Sequence, residues 1–221
     1  MRNVMKSRGF LKNLVKTVRG YHLVNKAPIK EAVWEGILAS SLSVSGIEYT
    51  WNNGGHQSGR DISVVDGVRR VGVSCKSCKD KLTGKQLTLS SYRMTKCRDA
   101  EEFIKCIDFE RANFDFYGVL SRYETEDLVR YAVHFIPSEL VKASKLEWNE
   151  KLDKEGKKIV GWESQEADGV QMNVVRSMSN QLWIKLRKEA FKEHCVFDGL
   201  EVKKGKTLDY VMLYDMLERQ T

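Results

Sequence analysis

The segment from residue 61 to residue 76 constrains the fold most. Asp61-Ile-Ser-Val-Val65 and Val71-Gly-Val-Ser-Cys-Lys76 are short runs rich in β-branched residues, separated by Asp66-Gly67. Such runs joined through an Asp-Gly pair predict two antiparallel strands with a tight turn. The pairing fixes which side chains share a face, because neighbours two apart along a strand point the same way. Ser74 and Lys76 therefore lie on one face of the second strand, with Asp61 at the start of the first.

Helical periodicity surrounds this hairpin. Phe10, Leu11, Leu14, Val15 and Val18 recur at helical spacing, with Lys12, Lys16 and Arg19 on the other side. This predicts an amphipathic helix over 3–19, ended by Gly20. Pro28 suits a first helical turn, and Ile29, Val33, Trp34, Ile37 and Leu38 extend a second helix to about Leu42, with Glu35 at its middle. A strand is expected over 46–51, then a turn-rich loop from Asn52 to Gly59. Residues 80–93 read as loop or short strand, and Asp99 to Arg111 as helix. Strands follow over 116–120 and 131–136, a charged surface excursion over 142–160, a strand over 181–186 and a closing helix over 208–217. The order implies an α/β (α+β mixed) fold, a central mixed β-sheet flanked by helices.

Charge is unevenly placed. The first thirty residues hold eight Lys or Arg and no acid, whereas the remainder holds 29 basic and 30 acidic residues. Such an asymmetry points to a polyanion, nucleic acid before membrane. Charges interrupt every candidate signal-peptide core here, and no stretch approaches 18 apolar residues, so neither a secretory signal nor a membrane span is expected. The basic segment resembles a presequence in lacking acids, but it is poor in Ser and is read as part of the working protein. Five cysteines, an odd number, imply reduced intracellular thiols and a cytoplasmic setting. Cys75-Lys-Ser-Cys78 is one CxxC without a second pair, and His22, His134 and His194 have no metal-site spacing. Signatures of P-loop ATPases, zincins and α/β-hydrolases are missing.

The hairpin carries the chemistry. Asp61, Ser74 and Lys76, with Glu35 from the preceding helix, supply hard oxygen ligands for Mg²⁺ and an ammonium group to orient water or offset developing charge. The Cys75 main-chain carbonyl is a further candidate ligand. At these residues the chain resembles the PD-(D/E)xK nuclease superfamily, most nearly its type II restriction endonucleases. The likeness covers about residues 30–80 and departs from the pattern at Ser74, where the superfamily has Glu. Glu35 is the expected replacement, with Glu48 and Glu101 behind it.

The resemblance implies one restriction-endonuclease-like nuclease domain over 1–221. Its parts would be a basic arm (1–27), a catalytic core (28–137) and recognition loops with a closing helix (138–221). It implies a prokaryotic-type, Mg²⁺-dependent endonuclease acting on double-stranded DNA as a homodimer. Rival readings are a Holliday junction resolvase or homing endonuclease of the same fold, a non-catalytic DNA-binding protein, and an interaction domain with no nucleic-acid role. DNA contacts are expected from His56 and Gln57 before the catalytic strand, and from Arg93 and Lys96 in a hydroxyl-rich stretch. Arg176, Ser177, Ser179, Asn180 and Gln181 form a third group, in which Arg suits guanine and Asn or Gln suits adenine.

Overall fold

The computed structural model describes residues 2–51, 60–80 and 84–204. Two helices lead, α1 (Arg2–Met5) and α2 (Arg8–Val24), followed by α3 (Glu31–Ser43). Ser7 divides the first two by N-capping α2, its side chain accepting from the Phe10 N–H. Gly20 does not end α2. The helix runs four residues further, and Asn25 ends it by donating from both its backbone and its side chain to the Tyr21 carbonyl. Pro28 likewise lies outside α3, which begins at Glu31.

The first sheet has six strands in the order β1 (Tyr49–Trp51), β2 (Ile62–Asp66), β3 (Arg69–Lys79), β5 (Phe116–Glu124), β6 (Leu128–Pro137) and β11 (Cys195–Lys203). It is mixed: β3 and β5 are parallel and every other neighbouring pair is antiparallel. A parallel pair needs a crossover, and here β4 (Gln86–Arg93) and α4 (Ala100–Arg111) supply it. Asp99 N-caps α4 by accepting from the Glu102 N–H. Gly67, at φ 66°, makes the turn between β2 and β3.

Helices α2 and α3 cover one face of this sheet. Phe10, Leu14, Val18, Trp34, Leu38 and Leu42 pack there with Ile62, Val73, Cys75, Leu120 and Val133. The Tyr131 hydroxyl ties the helices down, accepting from the Ile29 N–H and lying 2.8 Å from His22 Nε2. Trp34 is fully buried and donates to the Gly118 carbonyl at 2.8 Å. A Cβ on Gly118 would stand 2.9 Å from a Val73 methyl, so the close strand contact requires glycine.

The other face carries a second core built with α4 and a five-stranded antiparallel sheet. That sheet runs β4, β10 (Gln181–Arg187), β9 (Val170–Val175), β8 (Ile159–Ser164), β7 (Trp148–Leu152). The sequence reading missed much of it. Residues 80–93 hold an eight-residue strand whose hydroxyl-rich outer face hides the inward alternation of Leu87 and Leu89. The charged stretch 142–160 holds β7 and leads into β8. The expected recognition region after residue 138 is thus largely sheet, and the expected helix over 208–217 lies outside the described residues. No helix among the described residues is long and apolar enough to cross a membrane.

Candidate functional site

Pairing between β2 and β3 stops at Ile62 opposite Val73. Beyond that point Asp61 borders β3. Its backbone N–H donates to the Val73 carbonyl at 3.0 Å, and its Oδ2 accepts the Cys75 N–H at 2.6 Å. Ser74 Oγ lies 3.5 Å from the same oxygen. Among the described residues, Oδ1 of Asp61 accepts no hydrogen bond. Arg60 fixes the approach of this segment by donating twice to the Asn113 carbonyl, at 3.0 and 2.9 Å. Gly72 leaves room for it, since a Cβ there would meet Arg60 Nε at 3.0 Å and the Phe114 backbone at 3.2 Å.

Lys76 points to this margin and meets the first turn of α3. Its Nζ donates to Glu31 Oε1 at 2.7 Å, with the Lys76 side chain 15% and the Glu31 side chain 41% exposed. Glu35, one turn along α3, completes the group. Burial alone would push the Lys76 ammonium down. The Glu31 carboxylate, and then Asp61, outweigh that and hold it above its ordinary value. Glu35 and Asp61 both titrate higher than free carboxyls. Burial is the chief cause for each; Asp61 and Glu31 push Glu35 up further, and Lys76 opposes the shift at both. The indole N–H of Trp51 is buried and, among the described residues, outside hydrogen-bond geometry for any acceptor, yet near enough to Glu35 to favour its anion.

Glu31 is the residue that the sequence reading missed. Its signal was present, an acid four residues before Glu35 and so on the same helical face. Of the reserve candidates, Glu101 pairs with Lys105 on α4, and Glu48 is exposed, with no hydrogen bond or ion pair among the described residues tying its side chain to the group. The Cys75 thiol is fully buried in the core beneath the helices and burial pushes it well up, so only its main chain is available to a ligand. Cys78 faces the second core, which puts the two cysteines of the CxxC on opposite faces and removes it as a zinc site.

Among the described residues no three His, Cys, Asp or Glu side chains converge to hold a metal unaided. Mg²⁺ does not require this, because it is commonly held by one or two carboxylates together with water and substrate phosphate. Asp61 and Glu35 fit that demand: they are hard oxygen donors, and Asp61 raises the proton affinity of Glu35, a repulsion that a divalent cation relieves.

The two downstream groups of expected DNA contacts form a single platform. Met94 donates its N–H to the Asn180 carbonyl, and Asn180 Nδ2 donates to the carbonyls of Met94 and Cys97, each at 3.1 Å. Gln181 is 6% exposed; its amide donates to the Ser91 carbonyl, and Arg93 Nε donates to its Oε1 at 3.4 Å. Both amides are thus turned into the fold and do not offer the base-reading edges expected of them. Ser179 and Asn180 adopt consecutive left-handed conformations, φ 58° and 53°, held by this clamp. Arg93, Lys96, Arg176, Ser177 and Ser179 remain exposed around it. His56 and Gln57 lie outside the described residues.

No protein-family model matches the sequence, and no curated protein or solved structure is detectably similar to it.

Proposed function

We propose that the protein is a Mg²⁺-dependent endonuclease of double-stranded DNA, of the PD-(D/E)xK type, with a restriction-endonuclease-like fold and a homodimeric working form. The observation that carries this reading is the meeting of Asp61, Ser74 and Lys76 at the margin of β3 with the helix carboxylates Glu31 and Glu35. Asp61 and Glu35, with the Cys75 carbonyl, would hold the metal. Mg²⁺, when bound, offsets charge on a phosphodiester.

The chain's own groups have distinct tasks. Lys76, fully protonated at neutral pH, orients the attacking water and stabilises charge that develops on the phosphate. Glu31 holds that ammonium in place. The Cys75 N–H fixes the Asp61 carboxylate through Oδ2. Ser74 occupies the position of the superfamily's Glu without a charge, and the α3 carboxylates take over its role.

A non-catalytic DNA-binding protein is the second reading. It is favoured by Ser74 and by the engagement of Lys76 with Glu31. Incubating the purified protein with plasmid and phage DNA, with Mg²⁺ or with EDTA, separates the two. Discrete Mg²⁺-dependent fragments support the nuclease. Intact duplex, with cleavage of a four-way junction, selects a resolvase. Binding without cleavage of any substrate selects the second reading.

A further inference from the structure

The basic N-terminal segment has no part in the site just described, and its geometry is specific. Helix α2 contains no acid. Arg8, Lys12, Lys16 and Arg19 are all exposed, and among the described residues none of them has an ion-pair partner. At about 100° per residue these four fall within about 80° of arc. They form a stripe about 16 Å long at 1.5 Å per residue. Lys26 and Lys30, also exposed, lie in the segment that joins α2 to Glu31.

What lies behind the stripe narrows the partner. A basic amphipathic helix that binds lipid does so by inserting its apolar face. That face of α2 is already committed, because Phe10, Leu14 and Val18 are at most 1% exposed, packed onto the sheet and α3. The free side is the charged one, where Leu23 is the single largely exposed apolar residue of α2. A rigid row of four cations with this one exposed apolar neighbour fits a regular line of anionic charge, and over about 16 Å a DNA duplex presents about ten phosphates.

We infer that the exposed face of α2 is a second, sequence-independent contact for the phosphate backbone of duplex DNA, joined through Lys26 and Lys30 to Glu31 of the catalytic margin. The inference rests on the nuclease reading for its choice of duplex. The stripe holds the duplex beside α3 and leaves base recognition to other elements, since phosphate contacts fix register without reading sequence.

The test is equilibrium binding of a fluorescent duplex to the full chain in EDTA, from 50 to 300 mM salt. Wild type is compared with a variant carrying Arg8→Gln, Lys12→Gln, Lys16→Gln and Arg19→Gln. All four positions are solvent-exposed, and circular dichroism checks that the fold is kept. Each phosphate contact contributes about 0.9 to the slope of log K against log salt, so the loss of four should make the variant's slope shallower by about 3.6. Steep salt dependence in wild type with an unchanged slope in the variant overturns the inference and leaves the nuclease reading standing. Absence of duplex binding in wild type overturns both. Binding to phosphatidylserine vesicles in place of duplex, lost in the variant, reassigns the stripe to a membrane and also overturns the inference. Absence of Mg²⁺-dependent cleavage by wild type, with the slope difference intact, removes the nuclease reading alone.

Discussion

Replacing Glu31 by glutamine removes the negative charge facing Lys76 while keeping an oxygen able to accept from its Nζ. The loss is the difference between a charge-assisted hydrogen bond, about 1.5–3 kcal/mol, and a neutral one, about 0.5–1.5 kcal/mol. Glu31 is 41% exposed, so solvent screens the pair and the lower end, about 1 kcal/mol, applies. Glu31 also lies in the first turn of α3, where a negative charge favours the helix by about 0.3–1 kcal/mol. The expected destabilisation is about 1–2 kcal/mol, or about 2–8 °C in Tm for a domain of this size. Thermal unfolding followed by circular dichroism measures it. The pH dependence identifies the cause. Lys76 titrates above the ordinary lysine value in the fold, so its contribution is complete below that ordinary value and fades as pH rises through the elevated one. The gap between wild type and Glu31→Gln should hold from pH 7 to about 10 and narrow above. Equal stability at pH 7 refutes the ion-pair argument. A gap that persists undiminished through the lysine range assigns the whole effect to the helix terminus.

Other outcomes follow from the same geometry. Lys76→Ala should abolish Mg²⁺-dependent cleavage, by a factor of at least about 10², while leaving duplex affinity in EDTA within a few-fold; full activity removes Lys76 from the chemistry. Ser74→Glu restores the superfamily pattern on paper, but Ser74 is 3% exposed and 3.5 Å from Asp61 Oδ2. The variant should therefore lose about 1–3 kcal/mol in urea unfolding and gain no activity; a more active, equally stable variant contradicts this. His134 is buried, which lowers its pKa to about 4, and among the described residues its Nδ1 has no hydrogen-bond partner. The unfolded chain takes up this proton near pH 6.5 and the native state resists it. His134 should thus make stability fall by about 3 kcal/mol as pH drops from about 6.5 to 4. His134→Gln should flatten that part of the profile; an unaltered profile would show that other groups cause it.

The parts of the fold legible in the sequence are those whose order is local. The hairpin at Asp66-Gly67, the amphipathic α2 and the helix α4 declare themselves through turn chemistry and periodicity. The second sheet does not. Its strand β4 pairs with β10, about ninety residues away, as in Trp183 opposite Ser90. Only that distant partner makes a strand of a segment with two inward leucines. The site was half legible for a related reason. Asp61, Ser74 and Lys76 follow from strand alternation, but the Glu31–Lys76 contact depends on how α3 sits against the sheet. Asn180 and Gln181 have the right chemistry for adenine, and nothing in their neighbours reveals that backbone carbonyls at 91–97 claim their amides.

The strand order also governs how the chain must be made. The last strand of the first sheet, β11, pairs with β6 from the far side of all of β7 to β10. The first sheet cannot close until residue 195 has emerged from the ribosome, whereas the second waits only for β10. Until then β6 presents a bare edge, lined by Val129, Tyr131 and Val133, to the surrounding cell. Synthesis at about 5–20 residues per second leaves that edge uncovered for several seconds. A chain stalled or truncated in the intervening stretch is accordingly a substrate for chaperones and a seed for aggregation. Expression yield should respond more to codon pauses there than to pauses in the first hundred residues.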